Sequence, residues 1–365
     1  MRLFLCGDVM LGRGVDQILP HPGDPTLREA YVRDARTYVE LAEQVNGPIA
    51  RPVEFAWPWG EAVRVLDEIG PDVRVINLET SVTRSGQFAP GKAVHYRMNP
   101  ANLPCLTLAR PDVCVLANNH VLDFGRRGLA ETLGVLSGAG LATAGAGRDL
   151  DQARQPAVIT PGGGARVLVL AVGMATSGVP PDWSATHQRA GIDFISAPSD
   201  AAADQLTDRV QQKKGHGDVV VVSIHWGSNW GYDVSRDEIR FAHRLIDGGV
   251  DVVYGHSSHH TRPIEVFRRK LVLYGCGDFI DDYEGITGHE EYRDDLRLLY
   301  LVSVQPGTGQ LEDLTMVPMQ AQQLRLNHTS SDDSDWMRAT LDAVSRRFGS
   351  RVDSDPAGML TLRIG

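Results

Sequence analysis

The chain has 365 residues, of which 42% are hydrophobic and 22% are charged, and its formal net charge is −10 at pH 7. This length can bury the core of one large α/β domain or of two smaller domains. The acidic balance argues against a nucleic-acid partner and against an anionic membrane surface as a partner. No stretch approaches the roughly 18 consecutive apolar residues that a membrane span needs.

The first predicted element is a strand over residues 2–8 that ends at Asp8. Residues 1–8 are too short and become acidic too early for a signal peptide, so we expect a cytoplasmic protein. Apolar residues then recur with helical spacing near residues 30–44 and over residues 61–69.

A second strand, residues 73–76, ends in a polar stretch that contains Glu79. The loop that follows carries Lys92, His95 and Arg97. Its density of polar side chains is consistent with substrate contact. A plain solvated loop would have the same composition, and the sequence alone does not separate these two interpretations.

The most informative stretch follows the apolar run 113–116, which is typical of a buried strand. The run leads directly into Asn119, His120 and Asp123, and residues 126–139 then have helical leucine spacing. In open α/β sheets, the junction of strand and helix lies at the edge where ligands bind. Asn and His also serve as turn residues and caps, so the interpretation depends on how the other strands end.

The second half of the chain repeats the pattern of apolar strands with polar ends. The strand 219–224 ends at His225, and the strand 250–254 leads into His256 and His259. The other predicted elements are a strand at 166–172, a helix at 199–214, a helix opened by a capping box at 235–238, a strand at 271–274, a strand at 296–304 and a helix at 333–348.

Side chains that can bind a metal therefore terminate several predicted strands. The parallel strands of an α/β sheet bring their carboxyl ends to one edge, so we expect these side chains to converge. Imidazole, carboxylate and amide oxygen together suit a divalent ion such as Zn, Mn, Fe or Co, with Ca as a further candidate. The sequence predicts one or two such ions at this edge.

The motifs at these strand ends, taken together, resemble the CapA-like family of poly-γ-glutamate and capsule synthesis proteins. The matching motifs are Gly7–Arg13, Asn77–Glu79, Ala117–His120 with Asp123 and Gly125, His225–Gly227, Gly255–His259 and Tyr274–Phe279. This family belongs to the calcineurin-like metallophosphoesterase superfamily. The resemblance implies a single domain over residues 1–365, with the motifs in a core at 2–283 and a C-terminal strand and helix extension at 284–365. It also implies a four-layer α/β/β/α sandwich of the calcineurin-like type.

The resemblance also implies roles for individual residues. Asp8, Glu79 and His259 would bind a first metal, and Glu79 would bridge to a second metal completed by Asn119, His225 and His256. His120 would stay unligated as an acid or base. Asp123 would orient His120, or would only cap the helix. Met10 stands where the wider superfamily has a histidine, so the first metal is expected to be weak or absent.

Four functions fit such a site. The favoured one is a metal-dependent peptide epimerase, because the chain also resembles CapA-like epimerases of lasso-peptide biosynthesis, which invert the C-terminal residue of a precursor peptide. His120 would then move the Cα proton, with His95, Asp123 or a metal-held water as its partner. The alternatives are a phosphoester hydrolase, a capsule or poly-γ-glutamate biosynthesis protein, and a metal-stabilised peptide-binding module.

Several further residues are candidates for substrate contact. Arg13, Lys92 and Arg97 could bind a phosphate or carboxylate group. Trp226 and Trp230 flank His225 and could line a pocket, although ordinary core packing explains them as well. The expected partner is a peptide substrate.

Overall fold

The structure, a computed structural model, describes residues 1–162 and 164–363, and its strands form two main sheets. The larger sheet contains strands Arg2–Cys6, Asp8–Val9, Val73–Leu78, Val113–Val115, Ala142–Ala144, Asp278–Ile280, Leu296–Val304, Leu311–Ala321, Leu326–His328, Arg351–Ser354 and Leu360–Arg363. The smaller sheet contains strands Ala157–Ile159, Val167–Met174, Phe194–Ile195, Val219–His225, Val252–His256, Ile264–Phe267 and Lys270–Leu273. Two short ladders join Ser81–Val82 to Arg97–Met98 and Ala146–Gly147 to Gly191–Ile192.

Helices connect many of these strands. The α-helices span Gly14–Ile18, Arg36–Asn46, Glu61–Ile69, Leu103–Thr107, Gly125–Gly138, Leu150–Arg154, Asp200–Lys213, Arg236–Asp247 and Ser331–Ser345. Short 3-10 helices span Pro100–Asn102, Ala175–Ser177, Pro181–Trp183, Glu290–Tyr292 and Arg346–Phe348. The predicted capping box is present, because Ser235 accepts from the backbone of Glu238 while the Glu238 side chain accepts from the backbone of Ser235.

The two main sheets pack against each other. Their facing sides share one apolar core, to which the larger sheet contributes Leu3, Val75 and Val115 and the smaller sheet contributes Val169, Val221 and Leu273. The opposite side of the larger sheet packs on helices Glu61–Ile69 and Gly125–Gly138. The opposite side of the smaller sheet packs on helices Asp200–Lys213 and Arg236–Asp247. Strands buried on both faces read as continuous apolar runs, which is why the sequence showed them clearly. The predicted α/β class is confirmed, whereas its calcineurin-like subtype stays a prediction.

Two expectations about the elements need correction. The helix predicted near residues 30–44 begins only at Arg36, because Asp34 is bridged to Thr26 in the preceding loop. The part after residue 283 is also more than one strand and one helix. Its strand Leu296–Val304 pairs antiparallel with Arg2–Cys6 and is followed by a longer strand, so this part continues the larger sheet. Residues 364 and 365 of the predicted extension lie outside the described residues.

The strand pairing decides which polar ends meet. Asp8 is in register with Asn77 on one side and with Asp278 on the other, all in the larger sheet. In the smaller sheet, His225 is in register with His256 on the neighbouring parallel strand. Each sheet therefore brings carboxylates or imidazoles from distant parts of the chain to one edge, as predicted for parallel strands.

Two further features concern membrane helices and cysteines. Within residues 1–162 and 164–363, no helix combines the length and the apolar character required to cross a membrane. The cytoplasmic location stays a prediction. Cys6, Cys105, Cys114 and Cys276 are buried free thiols.

Candidate metal centre

Asp8, Glu79 and His225 form a compact buried group at the edge where the two sheets meet. One potential ligand atom from each lies within 4.8 Å of the others. The Nε2 atom of His225 lies 3.6 Å from Oε1 of Glu79. Two carboxylates and one imidazole, each supplied by a different strand end, are a donor set that divalent ions accept. All three are among the metal ligands predicted from the sequence.

Asn77 holds the two carboxylates of this group in place. Its Nδ2 donates to Oδ1 of Asp8 at 2.8 Å and to Oε2 of Glu79 at 3.0 Å. Its own Oδ1 accepts from Nδ2 of Asn118 at 2.9 Å. Sequence reasoning assigned no role to either asparagine. The position of Asn77 could have been predicted, because residues two apart on a strand point to the same face of the sheet. Asn77 precedes Glu79 by two residues, so both side chains lie on the same face.

The two carboxyl groups respond in opposite ways to their shared burial. At Asp8, burial opposes ionisation, but the hydrogen bond and charge of His256 outweigh it, and the pKa lies well below the ordinary value. At Glu79, burial and the nearby charge of Asp8 raise the pKa well above the ordinary value. A carboxyl whose ionisation is opposed by another carboxylate is stabilised in its charged form by a cation. The pair therefore suits a bound divalent ion.

Unpartnered atoms around this group provide a further test of fit. Among the described residues, both ring nitrogens of His225, Nε2 of His256 and Oδ1 of Asn119 are buried without a hydrogen-bond partner. The Nδ1 atom of His256 contacts Oδ1 of Asp8 at 3.0 Å. Buried polar atoms normally have partners, so the unpartnered nitrogens of His225 and His256, beside the carboxylates of Glu79 and Asp8, indicate a ligand that binds them. The residues present fit a divalent ion.

His259 lies close to this group but is engaged differently. Its Nδ1 faces both oxygens of Asp278 at 3.1 Å, and its Nε2 contacts Nδ2 of Asn229 at 2.9 Å. Asp278 is adjacent to Asp8 in the sheet register. Both ring nitrogens of His259 thus have protein partners, whereas those of His225 have none within residues 1–162 and 164–363. The ligand role expected for His259 stays a prediction.

His120 lies beside the candidate metal ligands. Its Nδ1 contacts Oδ2 of Asp123 at 2.6 Å, and its Nε2 lies 3.9 Å from Oε1 of Glu79. The ring of Tyr96 packs edge-on against it at 4.6 Å between centroids. Burial and the charge of Lys92 lower the pKa of His120 to about 4, although Asp123 acts in the opposite direction. The contact with Asp123 is present, and the orienting role stays a prediction.

Lys92 belongs to the same network. Its Nζ contacts Oδ1 of Asp123 at 2.5 Å, approaches Nδ1 of His120 at 3.1 Å and donates to the backbone oxygen of Asn119. Burial lowers the pKa of Lys92 below the ordinary value. The structure therefore places Lys92 behind His120 as the counter-charge of Asp123. It does not present the ammonium group as a free substrate contact.

The two expected substrate arginines are built into the framework. Arg13 is buried, pairs with Asp282 at 2.5 Å and Glu29 at 3.0 Å, and lies 3.6 Å from the ring centre of Tyr38. Arg97 donates to the backbone oxygens of Ser85 at 2.9 Å and Asp24 at 2.6 Å. Their hydrogen-bonding capacity is used within the protein, so the structure does not bring these cations to the candidate centre.

His95 and Trp226 are also in the interior. The His95 ring packs on Phe88 at 5.0 Å, and its Nε2 contacts the backbone oxygen of Ala89 at 3.1 Å. Trp226 belongs to the core under the smaller sheet, where its Nε1 donates to the backbone oxygen of Tyr274 at 3.0 Å. Trp230, by contrast, is only half-buried and lies against the ring of His259 at 5.3 Å. The Trp226 indole therefore lies in the core, whereas the Trp230 indole contacts His259.

We expect Trp226→Ala to destabilise the fold without changing metal content. Loss of a fully buried aromatic ring costs roughly 3–5 kcal/mol, and Trp226 is 1% exposed. Denaturant unfolding and elemental analysis measure the two quantities. Trp230→Ala is the matched control and should cost much less stability. A stable Trp226→Ala protein would contradict the core assignment.

We also expect divalent metal to stabilise the protein. A ligand that binds only the folded state adds about 4 kcal/mol when present at a thousand times its dissociation constant. Thermal unfolding should therefore shift to lower temperature after treatment with EDTA and return on addition of Mn²⁺ or Zn²⁺. The double variant Asp8→Asn/Glu79→Gln should show no such shift. An equal shift in both proteins would place the metal elsewhere.

Comparison with known proteins identifies the family. Residues 2–283 match the family model described as bacterial capsule synthesis protein PGA_cap. A protein named probable polyglutamine synthesis accessory protein, from Mycobacterium tuberculosis strain H37Rv, is 54% identical over 361 residues, covering 99% of this chain and 95% of that protein.

Two more distant relatives come from bacilli. The PGA biosynthesis protein CapA of Bacillus subtilis strain 168 is 25% identical over 307 residues, covering 84% of this chain and 68% of that protein. The capsule biosynthesis protein CapA of Bacillus anthracis is 24% identical over 282 residues, covering 77% of this chain and 60% of that protein. The narrower likeness to lasso-peptide epimerases stays a prediction. The matched span and these relatives show that the chain belongs to the bacterial capsule synthesis protein PGA_cap family, the CapA-like family predicted from its motifs.

Proposed function

We propose that this chain is a divalent-metal-dependent enzyme that hydrolyses an amide bond in a glutamyl polymer during the synthesis of that polymer. The observation that carries the proposal is the buried group Asp8, Glu79 and His225, with His120 facing Glu79 at 3.9 Å. The polymer class comes from the names of the relatives, which refer to polyglutamine and to capsule synthesis.

The protein's own residues would handle the proton in this reaction. His120 has Nε2 on the side of Glu79 and Nδ1 on Asp123, so it can accept or donate a proton at Nε2 while Asp123 fixes its orientation. Asn77 keeps the carboxylates of Asp8 and Glu79 aligned. A divalent ion held by Asp8, Glu79 and His225 would polarise the carbonyl oxygen of the substrate.

Epimerisation at Cα is the second candidate, and one observation favours it. Besides the pair His120–Asp123, a second histidine–carboxylate pair is present, His259 with Asp278 at 3.1 Å. Inversion needs two proton-transfer groups, and these pairs could supply them. His95 is less suited to this role than the sequence suggested, because its ring packs between Phe88 and Phe124.

Phosphoester hydrolysis has less support from the geometry. A transferred or released phosphoryl group needs cations that can approach it. Arg13 and Arg97 are buried and Lys92 is half-buried, and all three are paired with carboxylates or backbone oxygens. The arrangement of helices outside both sheets supports a calcineurin-like sandwich, but the same scaffold can carry different chemistry.

One incubation separates these reactions. The metal-loaded protein is mixed in deuterated water with short glutamyl oligomers, α- and γ-linked, and separately with a generic phosphodiester. Shortened oligomers support hydrolysis, deuterium at Cα without shortening identifies an epimerase, and phosphate ester cleavage alone identifies a phosphoesterase. Oligomer binding without any product would indicate a binding module and would overturn the proposal.

A further inference from the structure

A basic surface lies on the loop before Lys92 and on the helix after Asp123. Arg84 and Arg127, both exposed, line one cavity of about 420 Å³. Within residues 1–162 and 164–363, neither guanidinium group forms an ion pair or a hydrogen bond. We call these two arginines, together with the exposed Arg126, the basic strip.

The positive charge of the basic strip is largely unopposed. Glu131 also lines the cavity, and its Oε2 accepts from the backbone N–H of Arg84 at 3.0 Å. Arg126 donates to the backbone oxygens of Ala190 at 3.1 Å and Asp182 at 2.7 Å. A backbone oxygen satisfies an N–H but carries no net charge, so Arg126 keeps its full charge. Three cations thus face one carboxylate, on a chain whose net charge is −10.

Two of these cations stand where a helix disfavours them. Arg126 and Arg127 are in the first turn of helix Gly125–Gly138, and that turn has no acidic residue. The N-terminus of a helix carries a partial positive charge that repels cations. By contrast, helix Asp200–Lys213 begins with Asp200. Folding gains nothing from two arginines at this position, whereas a bound anion would offset their repulsion.

On one side, a series of contacts joins the basic strip to His120. Arg126 donates to the backbone oxygen of Asp182 at 2.7 Å, and the ring of the next residue, Trp183, lies 5.2 Å from Nζ of Lys92. The Nζ atom of Lys92 is 3.1 Å from Nδ1 of His120. The residue that holds Arg126 in place is therefore next to a residue in the His120 network.

The loop that begins at Arg84 reaches the same histidine from the other side. The backbone N–H of Ala89 donates to the backbone oxygen of Asp123 at 2.8 Å. The Oδ2 atom of Asp123 is 2.6 Å from Nδ1 of His120, and Nε2 of His120 is 3.9 Å from Oε1 of Glu79. The basic strip thus lies at the edge of the larger sheet that carries the candidate metal ligands.

We propose that the basic strip binds carboxylates of an acidic polymer and holds that polymer next to His120. Arginine pairs with carboxylates through charge-assisted, often bidentate hydrogen bonds, and a neutral carboxamide forms no such pair. The inference rests on the proposed function for the identity of the chain as a glutamyl polymer. It adds that the bound part of the polymer carries free carboxylates.

A matched pair of oligomers tests this inference. The probes are a γ-linked glutamate decamer, which has a free α-carboxylate on each residue, and the same decamer with α-carboxamides. Calorimetry on the Mn²⁺-loaded full chain at low salt should show about tenfold tighter binding of the acid decamer. This preference should shrink as salt is added, because surface charges are screened.

Two double variants assign the preference to the basic strip. Arg84→Gln/Arg127→Gln should bring the two affinities to within about twofold of each other. Thermal unfolding should be unchanged, because the two side chains make no internal contacts that the substitution breaks. Lys213→Gln/Arg269→Gln is the matched control. It removes the same charge from exposed residues that precede strands Val219–His225 and Lys270–Leu273, and it should keep the preference.

The other outcomes decide against the basic strip. Equal affinities of the wild-type protein for the two decamers, tighter binding of the amide decamer, or no binding of either would overturn it. A preference that persists in Arg84→Gln/Arg127→Gln would belong to the metal centre, and an equal loss in both double variants would reflect net charge alone. If the preference depends on the basic strip but neither decamer is cleaved, the proposed hydrolysis is wrong and the basic strip stands.

Discussion

Replacing His225 with alanine is expected to abolish divalent-metal binding while the protein remains folded. In the described residues, neither ring nitrogen of His225 has a hydrogen-bond partner, so the substitution breaks no internal hydrogen bond. It does remove one of the three groups that converge within 4.8 Å. Changes to groups that only support metal ligands already cost 10–100-fold in affinity, and loss of a ligand should cost roughly 100-fold or more.

Elemental analysis of the purified variant measures this effect, and a titration with Mn²⁺ gives the change in dissociation constant. His243→Ala is the matched control, because His243 lies on helix Arg236–Asp247 and pairs with Glu265 at 2.9 Å, outside the candidate centre. The control should keep its metal. Wild-type metal content and affinity in His225→Ala would show that the three side chains do not form the metal site.

The second large effect is expected from His120→Ala. General acid–base groups typically contribute 10²–10⁴-fold to turnover, and we expect a loss within that range with metal content unchanged. The physical reason is that His120 is the imidazole held by Asp123 at 2.6 Å with Nε2 toward Glu79. Asp123→Asn should give a smaller loss, because the imidazole remains but is no longer stabilised by a charge.

Turnover of glutamyl oligomers at saturating metal, together with elemental analysis, provides the measurement. His187→Ala is a suitable control, because the side chain of His187 is 75% exposed. If His120→Ala retains turnover within a few-fold of the wild type, another group performs the proton transfer. If the variant loses metal as well, His120 supports the ligands and does not act as an independent acid or base.

Much of the centre could be predicted because strand ends are visible in a sequence. The buried runs before Asp8, Glu79, His120 and His225 are apolar and short, and each ends in a polar residue. Parallel pairing then brings such ends together without further information. The supporting residues were harder to recognise. The sequence shows Asn77 only as a member of the motif Asn77–Glu79. Its hydrogen bonds to Asp8 and Glu79 show that it aligns both carboxylates.

The substrate residues could not be predicted in the same way. Arg13, Arg97 and Trp226 have side chains that suit ligand contact, but the structure uses them in ion pairs, carbonyl contacts and core packing. The residue type does not show whether a side chain is paired inside the protein or available to a ligand. That difference depends on which distant segment of the chain lies opposite the side chain.

The sequence alone determined the α/β class, the family and the convergence of Asp8, Glu79 and His225, because continuous apolar runs and the polar residues at their ends are local properties of the chain. The tertiary structure alone decided which polar side chains remain unpaired. Among the described residues, both ring nitrogens of His225 are without partners, while Arg13 and Lys92 are paired, and these states arise from contacts between segments far apart in the sequence. Partner choice is a non-local property, so it is fixed only when the sheets and loops have packed.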